Sequence, residues 1–265
     1  MTDKRSILSV IVLYLNYFMH GIGCAILGQS VIKESLSASW GTSVMAITAI
    51  SAALGLGRLI ALPFAGPLSD KFGRKFSVAV GGLLYAVFLC GLAYAADNPT
   101  GYQIAYLCAI LGGIANSFLD TGTYPALAEI ISKAPSVATM GIKFSMAISQ
   151  MLLPFFMGVS VTMHNGVTSY TSLFLVSGIA YLALSGAILM LPMPGDKSTS
   201  AKKKEGLLSE IRHTHFSIEA IAMILIGFTC TGTFQLWLNC AQTYATEFAG
   251  FACPAIMQTW YSAGT

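Results

Sequence analysis

Long apolar runs follow one another along this chain, broken only by short polar stretches, and none alternates with the period of a strand. About 20 predominantly apolar residues cross a bilayer core as a helix, and helices satisfy their own backbone hydrogen bonds there. The runs predict helices over 6–31, 42–64, 76–95, 102–130, 142–163, 171–193 and 217–244, with an eighth that starts near Pro254 and stops at Thr265. One long polar stretch, 194–216, divides the pattern. The expected architecture is an all-α polytopic membrane protein: a six-helix block over 1–193, a basic linker over 194–216, and at least one further helix over 217–265.

Composition agrees, with 55% hydrophobic and 9% charged residues, against roughly a quarter charged in soluble domains. The basic residues set an orientation, because lysine and arginine concentrate in cytoplasmic loops. Alternating crossings place Lys4, Arg5, Lys71, Arg74, Lys75, Lys133, Lys143, Lys197, Lys202, Lys203, Lys204 and Arg212 on one side. Lys33 falls in a loop on the other side, and Arg58 lies inside the second helix. The N-terminus and the linker are therefore expected in the cytoplasm of a cell that holds the protein in its inner or plasma membrane. The first run is too long for a cleaved signal and lacks an early cleavage site, so it reads as an uncleaved anchor. The net charge of +3 follows from this topology and carries no implication of nucleic-acid binding. The six cysteines show no Cys-x-x-Cys pair and read as packing residues. His213 and His215 sit in the basic linker without nearby cysteines, so no metal site is expected.

Between the second and third helices runs GPLSDKFGRK, residues 66–75. It reads as a tight cytoplasmic turn in which Gly66 and Gly73 supply unusual backbone geometry and Pro67 fixes a dihedral. The arrangement Gly66, Leu68, Asp70, Gly73, Arg74, Lys75 resembles the loop signature of the major facilitator superfamily. That resemblance implies a twelve-helix transporter built from two six-helix bundles, with substrate held between them near the midplane. It implies that Asp70 contacts a helix of the second bundle and helps lock the outward-open state, with Arg74 and Lys75 in a charge relay. One helix and a stub follow the linker here. The chain is thus expected to be a piece of a protein of about 400 residues, twelve spans of about 20 residues plus loops, whose remaining C-terminal bundle is its structural partner.

Polar residues inside membrane helices usually face the bundle interior or a water-filled path. In the fourth helix Asn116, Asp120 and Thr123 share one side by spacing. In the first, Asn16 and His20 are one turn apart. Ser145, Ser149 and Gln150 mark the fifth, and Thr231, Gln235, Asn239 and Gln242 form a stripe along the seventh. Interhelical amide bonds that only hold helices together contribute about 0.6 kcal/mol, and the seventh-helix stripe exceeds what that requires. Amides and hydroxyls without fixed charge suit a hydroxyl-rich substrate such as a sugar. Tyr17, Tyr124 and Trp237 could stack on its ring.

Asp120 is the acid in the middle of an apolar run. Holding an ionised aspartate at mid-helix costs about 3 kcal/mol, and protonating an unperturbed one at pH 7 costs roughly 4 kcal/mol. Costs this close suit a proton carrier. The competing reading is a permanent ion pair with Arg58. Residues 118–125, FLDTGTYP, resemble the fourth-helix stretch of the fucose permease branch, which implies proton-coupled sugar import through Asp120. The branch's first-helix acid has no counterpart here. The fifth helix lacks the Gly-Pro-x-x-Gly-Gly motif of superfamily drug exporters, which favours uptake over proton-driven export.

The expected function is proton-coupled symport of a small polar solute across the lipid bilayer. Asp120 would carry the proton, and Asn116, Thr123, Tyr124, Asn16, His20, Gln150, Gln235, Asn239 and Gln242 would bind substrate. Gly66, Asp70, Gly73, Arg74, Lys75 and Arg58 would form the gate. No cofactor is expected. A membrane-embedded enzyme would need a nucleophile and base at membrane depth, and no Gly-x-Ser-x-Gly, His-Glu-x-x-His or paired aspartates lie in a helix. A half-protein assembling with a second copy is disfavoured by seven full helices, which leave the two halves unequal.

Overall fold

Most of the apolar runs end close to a glycine or a proline. The computed structural model describes residues 4–164, 166–193, 217–250 and 255–264. The helices are α1 (Lys4–Ile26), α2 (Ser30–Trp40), α3 (Val44–Phe72), α4 (Arg74–Ala96), α5 (Gly101–Ile130), α6 (Pro135–Ser160), α7 (Thr171–Met190), α8 (Ile218–Glu247) and α9 (Ala255–Gly264). Among the described residues six are long and apolar enough to cross a membrane: α1 from Ser6 onward, and α3 through α7. The molecule is therefore a multi-pass helical membrane protein. Ser43 caps α3 by accepting the Ala46 N–H at 3.2 Å, which satisfies one of the free donors of the first turn. Gly41 closes α2 in the left-handed conformation, with φ 60°.

Four features differ from the sequence expectation. The first helix does not run unbroken over 6–31: it stops at Ile26, and the chain re-enters helix at Ser30, so Lys33 lies on α2 and not in a loop. The expected turn over 66–75 is mostly helix. Gly66, Pro67 and Asp70 belong to the last turns of α3, and the break is confined to Gly73, whose φ of 92° demands glycine. The fifth membrane helix starts at Pro135 rather than 142, because proline suits the first turn, where its missing N–H has no partner to lose. Lys143 is thereby moved from the cytoplasmic side into a membrane helix. Lastly, a short antiparallel hairpin, β1 (Thr162–His164) and β2 (Val167–Ser169), replaces the end of that helix. The predicted linker 194–216, with His213 and His215, lies outside the described residues.

Within the bundle α4 packs along both α5 and α7, α3 lies on α5, and α1 rests against α6 and α7. Tyr17, Tyr85, Phe88, Phe174 and Tyr181 are sealed in this core. Leu59, Phe64, Leu107 and Val159 are exposed on the outside, where a bilayer supplies the apolar surroundings that water would not. The α3–α5 contact is unusually close for a sequence reason. A β-carbon on Gly57 would stand 2.0 Å from the Ile110 carbonyl oxygen, and one on Gly113 would stand 2.0 Å from that of Leu54. Small residues permit such approach between membrane helices. Here they bring the midpoint of α3, where Arg58 lies, against α5.

Candidate functional site

Where α3 and α5 meet, Arg58 reaches Asp120. Its Nη2 donates to Asp120 Oδ2 at 2.6 Å. The other carboxylate oxygen accepts from the Tyr17 hydroxyl on α1, also at 2.6 Å. The Arg58 carbonyl in turn accepts from Ser117 on α5 at 3.1 Å, which ties the two helices together beside the pair. A lone ionised carboxylate is costly in a membrane helix, and the guanidinium supplies the compensating charge. The pair is not sealed: the side chains remain 41% and 24% exposed for Arg58 and Asp120. An open ion pair can exchange partners, whereas a sealed one would leave a stranded charge if either member let go. Of the two sequence readings of Asp120, the structure thus contains the Arg58 pair and leaves it accessible.

Aromatic rings extend the site from there. Tyr124 meets Tyr17 nearly perpendicularly, at 5.8 Å between centroids. The Lys143 ammonium lies over Tyr124, 5.8 Å from the ring centre, a cation–π distance. His20 stands 5.2 Å from Tyr17 and 5.0 Å from Tyr85, with its Nε2 3.3 Å from Cys24 Sγ. Five helices, α1, α3, α4, α5 and α6, therefore converge on one aromatic and charged centre.

The other expected site residues divide into three groups. Asn116 and Thr123 flank Asp120 on α5, both buried, and Asn116 Oδ1 and Thr123 Oγ1 have no hydrogen-bond partner among the described residues. Asn16 is fully buried and points elsewhere: its Nδ2 lies 3.7 Å from the place of a β-carbon on Gly82, beside Ser185 of α7. Gln150 is buried on α6 next to Ser149, which presses against Gly21 of α1. Gln242 and Asn239 form a separate contact. Gln242 donates to Gln29 Oε1 at 2.8 Å and accepts from the Ser30 N–H at 2.9 Å, and the Asn239 carbonyl accepts from the Lys33 ammonium. Lys33 is 1% exposed, and burial holds its pKa below the ordinary lysine range. The side chains of Thr231 and Gln235 lie outside the described residues, and Trp237 is exposed beside Tyr261 at 5.9 Å.

At the turn between α3 and α4 Arg74 links three groups. It pairs with Asp70 at 2.8 Å, donates to Ser69 at 3.2 Å and approaches Glu129 of α5 at 3.7 Å. Gly73 makes the turn that swings Arg74 back over α3. Gly66 has open space where a β-carbon would stand, so its place in this cluster carries no steric reason. Sequence reasoning missed Glu129, which ends α5 within reach of Arg74, and Lys143. Pro135 was the available signal for the second.

Comparison with known proteins adds independent findings. The profile described as Major Facilitator Superfamily matches residues 13–264. The chain is 35% identical over 264 residues to the MFS-type transporter YfkL of Bacillus subtilis, covering 96% of this chain and 62% of that protein. It is 32% identical over 262 residues to the inner membrane transport protein YdiN of Escherichia coli, covering 98% of this chain and 60% of the relative. The chain thus spans about three-fifths of the length of the curated relatives it matches. A crystal structure of a D-xylose-proton symporter superposes with a TM-score of 0.69 at 18% identity, over 97% of this chain and 66% of the other, a likeness of fold.

Proposed function

Since the chain belongs to the major facilitator superfamily, we propose that the whole protein is a secondary active transporter that takes up a small polar solute with protons by alternating access. It would lie in the cell membrane with its N-terminus in the cytoplasm, the side to which the basic residues assign it. The observation that carries this reading is the accessible Arg58–Asp120 pair at mid-helix, held from behind by the buried Tyr17 hydroxyl. In the proposed cycle Asp120 takes a proton when the site faces outward, which loosens Arg58. The return of the free carboxylate to Arg58 on the inner side completes the exchange. Asn116, Thr123, Tyr124 and His20 border this centre and would contact the solute. Asn16 and Gln150 would support α1 and α6 behind it. The likeness of residues 118–125 to the fucose permease stretch makes sugars the first class to test. The Asp70–Arg74–Glu129 cluster would govern opening on the cytoplasmic side.

The decisive experiment compares Asp120→Asn with the native full chain in proteoliposomes. Uphill uptake under an inward proton gradient should fall to background while counterflow exchange survives, because exchange needs no net proton movement. Undiminished accumulation by the variant sinks the coupling role. Solute efflux driven by an inward proton gradient would turn the direction to export.

A further inference from the structure

Charges at membrane depth are few enough to count. Among the described residues of the membrane-crossing helices, those more than two turns from a helix end are Arg58, Asp120 and Lys143. Two are cations and one is an anion. Arg58 is matched by Asp120. Lys143 stands eight residues past Pro135, about 12 Å along the axis, and among the described residues it has no carboxylate partner, only the face of Tyr124. Its side chain is exposed. The centre therefore holds a surplus of one positive charge in a medium where unbalanced charge is expensive.

We propose that the transported solute is a small monocarboxylate, bound between Lys143 and Arg58, with its body against the partly exposed Tyr124 ring. This rests on the transport reading above and narrows its substrate class from polar solutes in general to organic anions. Three features converge on it. Entry of a monoanion alone cancels the surplus charge, and with the accompanying proton on Asp120 the loaded centre carries the same charge as the empty one, so taking up the two together leaves the balance unchanged. Arg58 is 41% exposed and has a planar fork suited to a second carboxylate. Its present partner is itself a carboxylate, which shows that the position accepts one. A substrate carboxylate would compete with Asp120 for Arg58, and a proton on Asp120 removes that competition. The proton moves from the outer solution to the Asp120 carboxylate, no covalent bond in the solute changes, and one proton accompanies one anion. Symport in this ratio moves no net charge. Hydroxyl groups on the acid would find Asn116 Oδ1 and Thr123 Oγ1, both buried beside Asp120.

The test is binding to the purified full chain, read as thermal stabilisation without any gradient, using acids matched with neutral partners: gluconate against glucose, lactate against propylene glycol, and salicylate against salicyl alcohol. At least one acid should act at about tenfold lower concentration than its partner, the discrimination expected of one charge-assisted hydrogen bond. Lys143→Gln should erase that advantage and Lys143→Arg should retain it. If no acid surpasses its neutral partner, or if Lys143→Gln leaves the advantage intact, the proposal is overturned. The two readings fail separately. Proton-driven accumulation of glucose with no acid preference keeps the transporter and removes the anion. Lys143-dependent acid binding without proton-driven uptake does the reverse.

Discussion

At the scale of single residues, the site turns on how Asp120 is held. Each carboxylate oxygen has one strong donor, Arg58 on one side and Tyr17 on the other. Removing Arg58 alone leaves a carboxylate in a membrane helix with only a phenol beside it, whereas removing both charges leaves two neutral side chains. The effects should therefore not add. In a double-mutant cycle with Arg58→Gln and Asp120→Asn, read as thermal unfolding in detergent, we expect a coupling of about 1 kcal/mol, low in the range for contacting residues because the pair is partly open. Additive losses would mean that the ion pair contributes nothing to folding. Both partners were visible in the sequence as lone charges in apolar runs, and an ion pair between them was one of the two readings it left open. Tyr17 was not legible as a partner of Asp120. Its hydroxyl reaches the carboxylate because of how α1 is rotated against α5, which no single-helix spacing encodes.

At the scale of elements, the arrangement depends on two glycines that the hydrophobic pattern treats as filler. Gly57 and Gly113 set α3 and α5 so close that a methyl group on either would overlap a backbone carbonyl of the other helix. Backbone cannot yield as a side-chain tip does, so the helices would have to separate. Gly113→Ala should cost about 1–3 kcal/mol, the usual range for overpacking. It should also move Arg58 from Asp120, since its β-carbon would meet the Arg58 nitrogen at 2.7 Å as well as the Leu54 oxygen. Thermal unfolding and proton-coupled uptake measured together would check this. Loss of uptake at unchanged stability is expected for Gly113→Ala only if the helices shift as rigid rods. Unchanged values in both measurements would show that the close approach is unimportant. By contrast, Gly66→Ala should leave stability near native, because nothing stands where its methyl would go. The existence and order of the membrane helices were legible because apolar length is a strong signal. Their ends were less so. Packing along α5 and the need to satisfy backbone hydrogen bonds within the segment carry α3 through Pro67 to Phe72 against the low helix propensity of its glycines and prolines. Pro135 looks like a breaker until it is placed in a first turn.

At the scale of the whole molecule, the proposed transport cycle would have to break the contact between α8 and the junction of α1 with α2. Gln242 is held by Gln29 and Ser30, and the Lys33 ammonium reaches across to the Asn239 carbonyl. The seventh-helix stripe was legible from spacing, but its use was not: the Gln242 side chain and the Asn239 backbone carbonyl meet the start of α2, and the break at residues 27–29 that presents those partners interrupts a run the sequence presents as continuous. Buried polar contacts of this kind hold well while fully paired and lose strength together when water enters, which suits a seam that must close and reopen. If the two bundles rock about a central site, this seam is shut in the present arrangement and has to part before solute can enter from the outer side. A reversible tether should then arrest the cycle. With the six native cysteines replaced, Gln29→Cys and Gln242→Cys would be bridged by a short disulfide-containing cross-linker in proteoliposomes. Uptake should fall at least tenfold when bridged and return on reduction, while either single variant treated in the same way stays near native. Uptake that continues across an intact bridge would mean that α8 and α2 travel as one body and that the moving seam lies elsewhere.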